Sequence, residues 1–308
     1  MSQPPLDIAL IGPGAIGGAF AFQLARAGHA VTAVARPGSA RLAQLTGDGG
    51  IVSVTGERAL MKVVDALDEG TAYDLVIVTV LTHQVDAVLP ALRRSAARAI
   101  QFMANSFEPE RLAEAVGPER TSFGMPFIQS RVGPDGRLDA VIGAGGQKSL
   151  MGNPRWVALF NAAGLPARLE SDMALWLRCH TPMCVGFESI SVAGVRRVGR
   201  GSWGGGASWA EAMVVAGGVQ ESFALIRGLG YRLYPASKAR IAGLPAPVLA
   251  ALLWAVSRIR SLRELLATGE AERRALIEAL LAAAPRAHPP VRTVRIAALS
   301  PFPIDKGV

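Results

Sequence analysis

The chain has 308 residues, half of them hydrophobic, which is enough for two domains with cores of their own. Its formal net charge of +8 comes from dispersed arginines. With no interleaved aromatics and no nucleic-acid motif, that charge points to small anions and away from nucleic acid. No apolar run reaches the length of a membrane span and no signal-type leader opens the sequence. Two cysteines and four scattered histidines make neither a disulfide framework nor a zinc site. The expectation is a cytoplasmic protein with no membrane partner and no metal.

Residues 8–11 read as a buried strand and residues 19–26 as a helix, with Gly12-Pro13-Gly14-Ala15-Ile16-Gly17 between them. Gly12 permits the tight turn, Gly14 lets backbone approach a diphosphate with no β-carbon in the way, and Gly17 lets the helix pack closely on the strand. The diphosphate would rest on the amides and the positive dipole of that helix start. The next strand, residues 30–35, ends in Arg36-Pro37-Gly38-Ser39. An NAD site usually places an acid about 20 residues past the first glycines, to bind the ribose 2′-hydroxyl. Arg36 occupies that region instead and suits a 2′-phosphate, so the cofactor expected is NADP(H).

A helix follows at 40–45, a turn at 47–50, and strands at 51–54 and 60–64. Then come a strand at 74–80, a helix at 84–94, a strand at 99–103 and a helix at 109–116. This alternation predicts a parallel, doubly wound sheet. Residues 127–132 and 138–142 flank Gly133-Pro134-Asp135-Gly136, a hairpin that would end the domain. From Asp172 the pattern turns helical, with Ser171 or Asp172 as a cap and segments at 173–195, 208–229, 247–266, 270–284 and 291–299. The glycine-rich stretch 199–208 is expected to be mobile, either as a plain interhelical loop or as a lid carrying Trp203. The fold class is therefore α/β. Residues 1–170 form an NADP-binding Rossmann domain and residues 171–308 an all-helical substrate or dimerisation domain.

The glycine motif with Gly18, Ala27-Gly28-His29 and Val34-Ala35-Arg36 together resemble the ketopantoate reductase family, NADPH-dependent enzymes that reduce a 2-keto acid. So do residues 74–79 with Thr82-His83-Gln84, Leu175-Trp176 and Gly269-Glu270. The likeness is strong over the first 110 residues or so and thin in the helical half. It implies substrate in a cleft between the two domains, and cofactor contacts at Gly12, Pro13, Gly14, Ala15, Ile16, Gly17, Arg36, Thr79, Leu81, Gln84 and Asn105. Asn105 would also approach the substrate. Glu270, or Glu272 in the alternative register, would bind the substrate hydroxyl. Both family lysines are absent: Leu81 and Arg178 stand at their positions, and Pro182 and Gly186 at those of two asparagines.

Ketone reduction needs a hydride on carbon and a proton on oxygen. Arg178 can stabilise an oxyanion or grip a carboxylate, but it stays protonated and is a poor acid. His180 titrates near neutrality and could supply the proton, although two positions along a regular helix is a different face and Pro182 is expected to disturb the helix there. Cys179 and Cys184 pack as small apolar residues; Asp86, Glu108 and Glu221 read as surface or capping groups. The reading is an NADP(H)-dependent reductase of a small anionic carbonyl compound, with Asn105, Arg178, Glu270 and His180 as its catalytic set. The alternatives are a catalytically silent NADP-binding sensor or scaffold, and a reductase of an imine or another ketone. The helical half is compatible with a homodimer.

Overall fold

The computed structural model describes residues 4–267 and 269–300; the ends of the two expected domains, residues 1–3 and 301–308, lie outside the described residues. The chain falls into two compact units. One comprises Met1–Ala104 and Pro109–Met173, the other Asn105–Glu108 and Ala174–Val308.

The first unit runs β1 (Asp7–Ile11), α1 (Ala15–Arg26), β2 (Ala30–Val34), α2 (Ala40–Asp48), β3 (Gly50–Val52), β4 (Arg58–Leu60), β5 (Lys62–Val64) and β6 (Leu75–Val78). It continues with α3 (Thr82–Arg94), β7 (Ile100–Met103), α4 (Pro109–Val116), β8 (Thr121–Met125), β9 (Gln129–Val132), β10 (Leu138–Val141), β11 (Ser149–Met151), α5 (Pro154–Ala162) and β12 (Ala167–Leu169). Eight strands form one sheet in the order β12-β11-β8-β7-β6-β1-β2-β5. All neighbours are parallel except β11 and β8. The central strands β1 and β6 are buried on both faces, which is why they read as unbroken apolar runs. On one face Phe20 of α1 meets Phe160 of α5 edge-on, 4.9 Å between ring centres. On the other, Leu92 and Leu112 pack with Tyr73 and Phe102.

Two expectations for this unit are corrected. The single strand predicted at 60–64 is two: β4 pairs antiparallel with β3, and β5 joins the edge of the main sheet beside β2. The break falls at Met61, whose N–H donates to the Gly49 carbonyl and closes the small hairpin before the chain turns away. The β9–β10 hairpin forms as predicted but does not end the unit, because β11, α5 and β12 return to the large sheet. Asn153 starts α5 by accepting the Arg155 N–H at 2.9 Å, with Pro154 at the first helical position.

The second unit contains α6 (Met173–Val198), α7 (Trp209–Gly228), α8 (Ala236–Ala242), α9 (Ala246–Val256), α10 (Arg260–Leu266), α11 (Glu270–Ala283) and α12 (Thr293–Ala297). Ser208 and Glu211 form a capping box on α7. Pro182 does not break α6, contrary to expectation. It removes one N–H, while its neighbours Cys179, Met183 and Val185 stay anchored in the core. The helix expected over 247–266 is divided into α9 and α10. Ser257 gives its carbonyl to the Arg263 guanidinium at 3.2 Å, and its hydroxyl accepts the Ala207 N–H at 3.1 Å. The segment expected at 291–299 is trimmed to α12, whose entry is set from outside when Glu221 of α7 accepts the Arg292 N–H at 2.7 Å.

The glycine-rich stretch, expected to be mobile, is tethered at several points. Arg263 is fully buried and donates to the carbonyls of Ser202 (2.5 Å) and Gly205 (2.9 Å), and Gly201 donates to Glu264 at 2.7 Å. Trp203 projects from this tethered stretch with Arg260 over its ring. Among the described residues, no single helix is long and apolar enough to cross a membrane.

Candidate active site

Gly12, with φ of 88°, makes the turn that carries β1 into α1. Its carbonyl accepts the Gly14 N–H at 2.7 Å and the Thr79 hydroxyl at 2.8 Å, so the C-terminal end of β6 braces the turn. A β-carbon on Gly17 would lie 2.3 Å from both the Gly12 carbonyl oxygen and Thr79 Oγ1, whereas one on Gly14 would meet nothing within 4 Å. Close packing at Gly17 and open space at Gly14 together make a shelf for a bound group at the start of α1. The amides of that helix start point to an anion. Arg41 of α2, which sequence reasoning passed over, donates Nε to the Pro13 carbonyl at 2.8 Å and Nη1 to the Gly136 carbonyl at 2.9 Å. It ties the turn to the β9–β10 hairpin, and burial lowers its pKa.

Arg36 lies exposed just past β2, which flanks β1. Leu81 is exposed at the start of α3, and its N–H donates to Gln84 Oε1 at 3.3 Å. Gln84 thus closes the helix start, a structural use the sequence reading did not foresee. A pocket of about 210 Å³ beside α1, bounded by Phe22, Gln23, Glu57 and Leu138, shares no residue with the glycine turn.

The expected catalytic residues Asn105, Arg178, His180 and Glu270 all belong to the second unit. Arg178 is buried, with its guanidinium 3.9 Å from the centre of the Tyr231 ring and 6.0 Å from that of Phe107. These residues line a pocket with Glu108, Leu229 and Arg286. Glu108, expected to be a surface group, is the ion partner of Arg286.

Glu270 is on the surface, its side chain about half exposed and 3.8 Å from Arg274. The buried acid is Glu272, the alternative register. Helical spacing explains this: Glu272 shares a face with the core residue Leu276, while Glu270 faces out at the first turn. Glu272 acts electrostatically on Cys184 and on Glu188 of α6. Asn105 hydrogen-bonds the Cys184 thiol, and Cys184 Sγ lies 3.6 Å from Glu188 Oε1. Arg273, also buried, draws on Glu188 from α11.

Burial first, and Glu272 second, push the Glu188 carboxyl up to about 7, so a proton sits there near neutrality. Burial likewise raises the Cys184 thiol well above its usual value. Sequence reading missed Glu188, although a lone acid in the apolar run Cys184-Val185-Gly186-Phe187-Glu188 is a usable signal. His180 is corrected as a proton donor. It stacks on Trp176 with 4.6 Å between centres, and burial together with Lys238 lowers its pKa to about 3. At neutral pH it carries no proton to give as an imidazolium. Lys238, from the unpredicted α8, lies 3.5 Å over the Trp176 ring and donates to the Trp176 carbonyl at 2.9 Å.

A family model described as ketopantoate reductase PanE/ApbA matches residues 8–150. The matched stretch contains the glycine turn, Arg36, Thr79 and the loop from Ala104 to Glu108. Among solved structures, the chain is similar to a PanE/ApbA family ketopantoate reductase from Ralstonia eutropha JMP134, at 18% identity over 95% of each chain with a TM-score of 0.71. It is similar to the probable 2-dehydropantoate 2-reductase panE from Bacillus subtilis, at 21% identity over 96% of this chain and 98% of that one, with a TM-score of 0.67. A D-mandelate dehydrogenase solved with NADH is similar over 96% of each chain, at 15% identity and a TM-score of 0.69. At these identities the likeness is one of fold: a parallel-sheet Rossmann domain followed by a helical region. No curated protein matches the chain.

Proposed function

We propose that the chain is an NADP(H)-dependent reductase of a small 2-keto acid or related carbonyl compound. The observation that carries this reading is the braced glycine turn, open at Gly14, within the stretch matched by the ketopantoate reductase family model. The residues fit the cofactor. The amides at the start of α1 would hold its diphosphate, and Arg36 its 2′-phosphate. NADPH, when bound, supplies a hydride for the carbonyl carbon.

The rest is done by this chain's own side chains. Arg178 would hold the substrate carboxylate through its fixed guanidinium, a role that does not require it to lose a proton. Its permanent charge would also stabilise negative charge growing on the carbonyl oxygen. Glu188 holds a proton near neutrality, beside Cys184 and under the influence of Glu272, and replaces His180 as the group able to release one.

The test is NADPH oxidation followed at 340 nm with ketopantoate and a panel of other 2-keto acids, ketones and imines. Fluorescence titrations of NADPH and NADH run beside it. Turnover of any 2-keto acid with preference for NADPH supports the reading. NADPH binding with no turnover across the panel refutes it and favours a silent NADP-binding protein. Turnover restricted to imines or simple ketones would move the substrate class.

A further inference from the structure

Gly18 follows Gly17 in the motif but clears a different neighbour. A β-carbon on it would lie 3.3 Å from Arg41 Nη2 and 3.6 Å from Leu138 Cδ1. That Nη2 is buried with no hydrogen-bond partner among the described residues, so Gly18 makes room for a guanidinium whose other nitrogens are engaged. Nε donates to the Pro13 carbonyl at 2.8 Å. Nη1 donates to Gln44 Oε1 at 2.5 Å and to the carbonyl of Gly136, in the turn of the β9–β10 hairpin, at 2.9 Å. Gly136, with φ of 78°, sits so close to α2 that a β-carbon on it would lie 2.5 Å from Gln44 Cδ. A second tie runs from β9, where the Ser130 hydroxyl donates to the Ala15 carbonyl at 2.9 Å. The hairpin forms a sheet of its own, apart from the large one, yet it is bonded to the glycine turn through Arg41 and directly to the first residue of α1.

A planar trans peptide aims its N–H opposite its carbonyl. Holding the Pro13 carbonyl thus keeps the Gly14 N–H on the Gly12 carbonyl, where it donates at 2.7 Å. Holding the Ala15 carbonyl aims the Ile16 N–H out of the helix start, where an anion is received. We infer that the β9–β10 hairpin is a working part of the dinucleotide site, with Arg41 and Ser130 as positioning residues that act through the carbonyls of the shelf. This assignment rests on the cofactor reading above. Arg36 would serve the 2′-phosphate, whereas Arg41 and Ser130 serve the diphosphate common to NADPH and NADH. They therefore set the affinity for both dinucleotides and leave the choice between them alone.

Fluorescence titrations of NADPH and NADH on the full chain test this, with wild type set against Arg41→Met, Arg41→Lys and Ser130→Ala. Arg41→Met should weaken both dinucleotides about tenfold, a usual loss for charge-assisted hydrogen bonds, with their ratio unchanged. Arg41→Lys should not restore them, because an ammonium lacks the fork that spans two carbonyls. Ser130→Ala, the mildest change, should weaken both about threefold. Thermal melts verify that the variants fold. A merely structural Arg41 would lower the melting temperature and leave both affinities of the folded chain as they were. That result, or a loss confined to NADPH, overturns the inference. A wild-type chain that binds neither dinucleotide removes the cofactor reading. Amide exchange at residues 15–18 of the free chain then decides the hairpin's part by itself: faster exchange in Ser130→Ala upholds its grip on the helix start, and unchanged exchange overturns it.

Discussion

The Thr79 hydroxyl and the Gly12 carbonyl are joined by a 2.8 Å hydrogen bond, and a β-carbon at Gly17 would strike both partners. Two glycines of one motif therefore have separable jobs. Gly17→Ala should force the turn open and cost about 1–3 kcal/mol of stability by overpacking, with NADPH binding lost as well. Gly14→Ala should leave stability within about 0.5 kcal/mol and still weaken NADPH severely, because its methyl enters the open shelf. Thermal melts and NADPH fluorescence titrations on both variants give the comparison. Equal loss of stability in the two would contradict the division of labour.

Arg36 is the lever for cofactor choice. Removing one charge-assisted contact to a phosphate typically costs about 1.5–3 kcal/mol, so Arg36→Ala should weaken NADPH about ten- to a hundredfold and leave NADH nearly unchanged. The ratio of the two dissociation constants is the readout. A variant that weakens both cofactors alike would show that Arg36 does not read the 2′-phosphate.

Glu188 gives a pH signature. Its carboxyl rises from an ordinary 4.5 to about 7, so between those values the folded chain holds a proton that the unfolded chain has released. Stability from this group is full below the lower value and is lost as pH climbs through the upper one. A shift of that size is on the order of 3 kcal/mol. Glu188→Gln should thus match the wild type near pH 4.5 and exceed it near pH 8. His180 works in the opposite sense, its stabilisation disappearing as pH falls from 6.5 towards 3, so the two proteins are compared at each pH. Denaturant midpoints that differ by the same amount at every pH would rule out the proton.

Local rules made the first unit readable. Residues 8–11 and 75–78 are buried on both faces and apolar throughout, and a glycine motif has meaning from four neighbours alone. The helical unit yielded less, because its decisive contacts span the chain. Glu272 rather than Glu270 is the buried acid only because α11 turns that face to α6, and the pairing of Glu108 with Arg286 joins residues 178 positions apart. The division of α9 from α10 likewise depends on Ser257 and Arg263 serving another segment's backbone. No spacing rule encodes such pairings.

Arg263 holds the glycine-rich segment from below. Arg263→Leu strips hydrogen bonds from the carbonyls of Ser202, Gly205 and Ser257 and should cost about 2–4 kcal/mol. Amide exchange over residues 199–207 should accelerate before the rest of the unit melts. Trp203→Ala, at an 83% exposed side chain, should stay within about 0.5 kcal/mol of wild type. Unchanged exchange in Arg263→Leu would mean that the segment is held by other bonds.

The backbone passes from the sheet unit into the helical unit at Asn105, returns at Pro109, and leaves again after Met173. Four residues in a β-to-α connection thus belong to the neighbouring unit, and two of them, Phe107 and Glu108, line its pocket. The helical part is therefore not a portable module. A gene cut near residue 173 would deliver a pocket lacking one wall and leave Arg286 without its counter-ion. Recombination could exchange the helical half intact only by carrying this short stretch along with it.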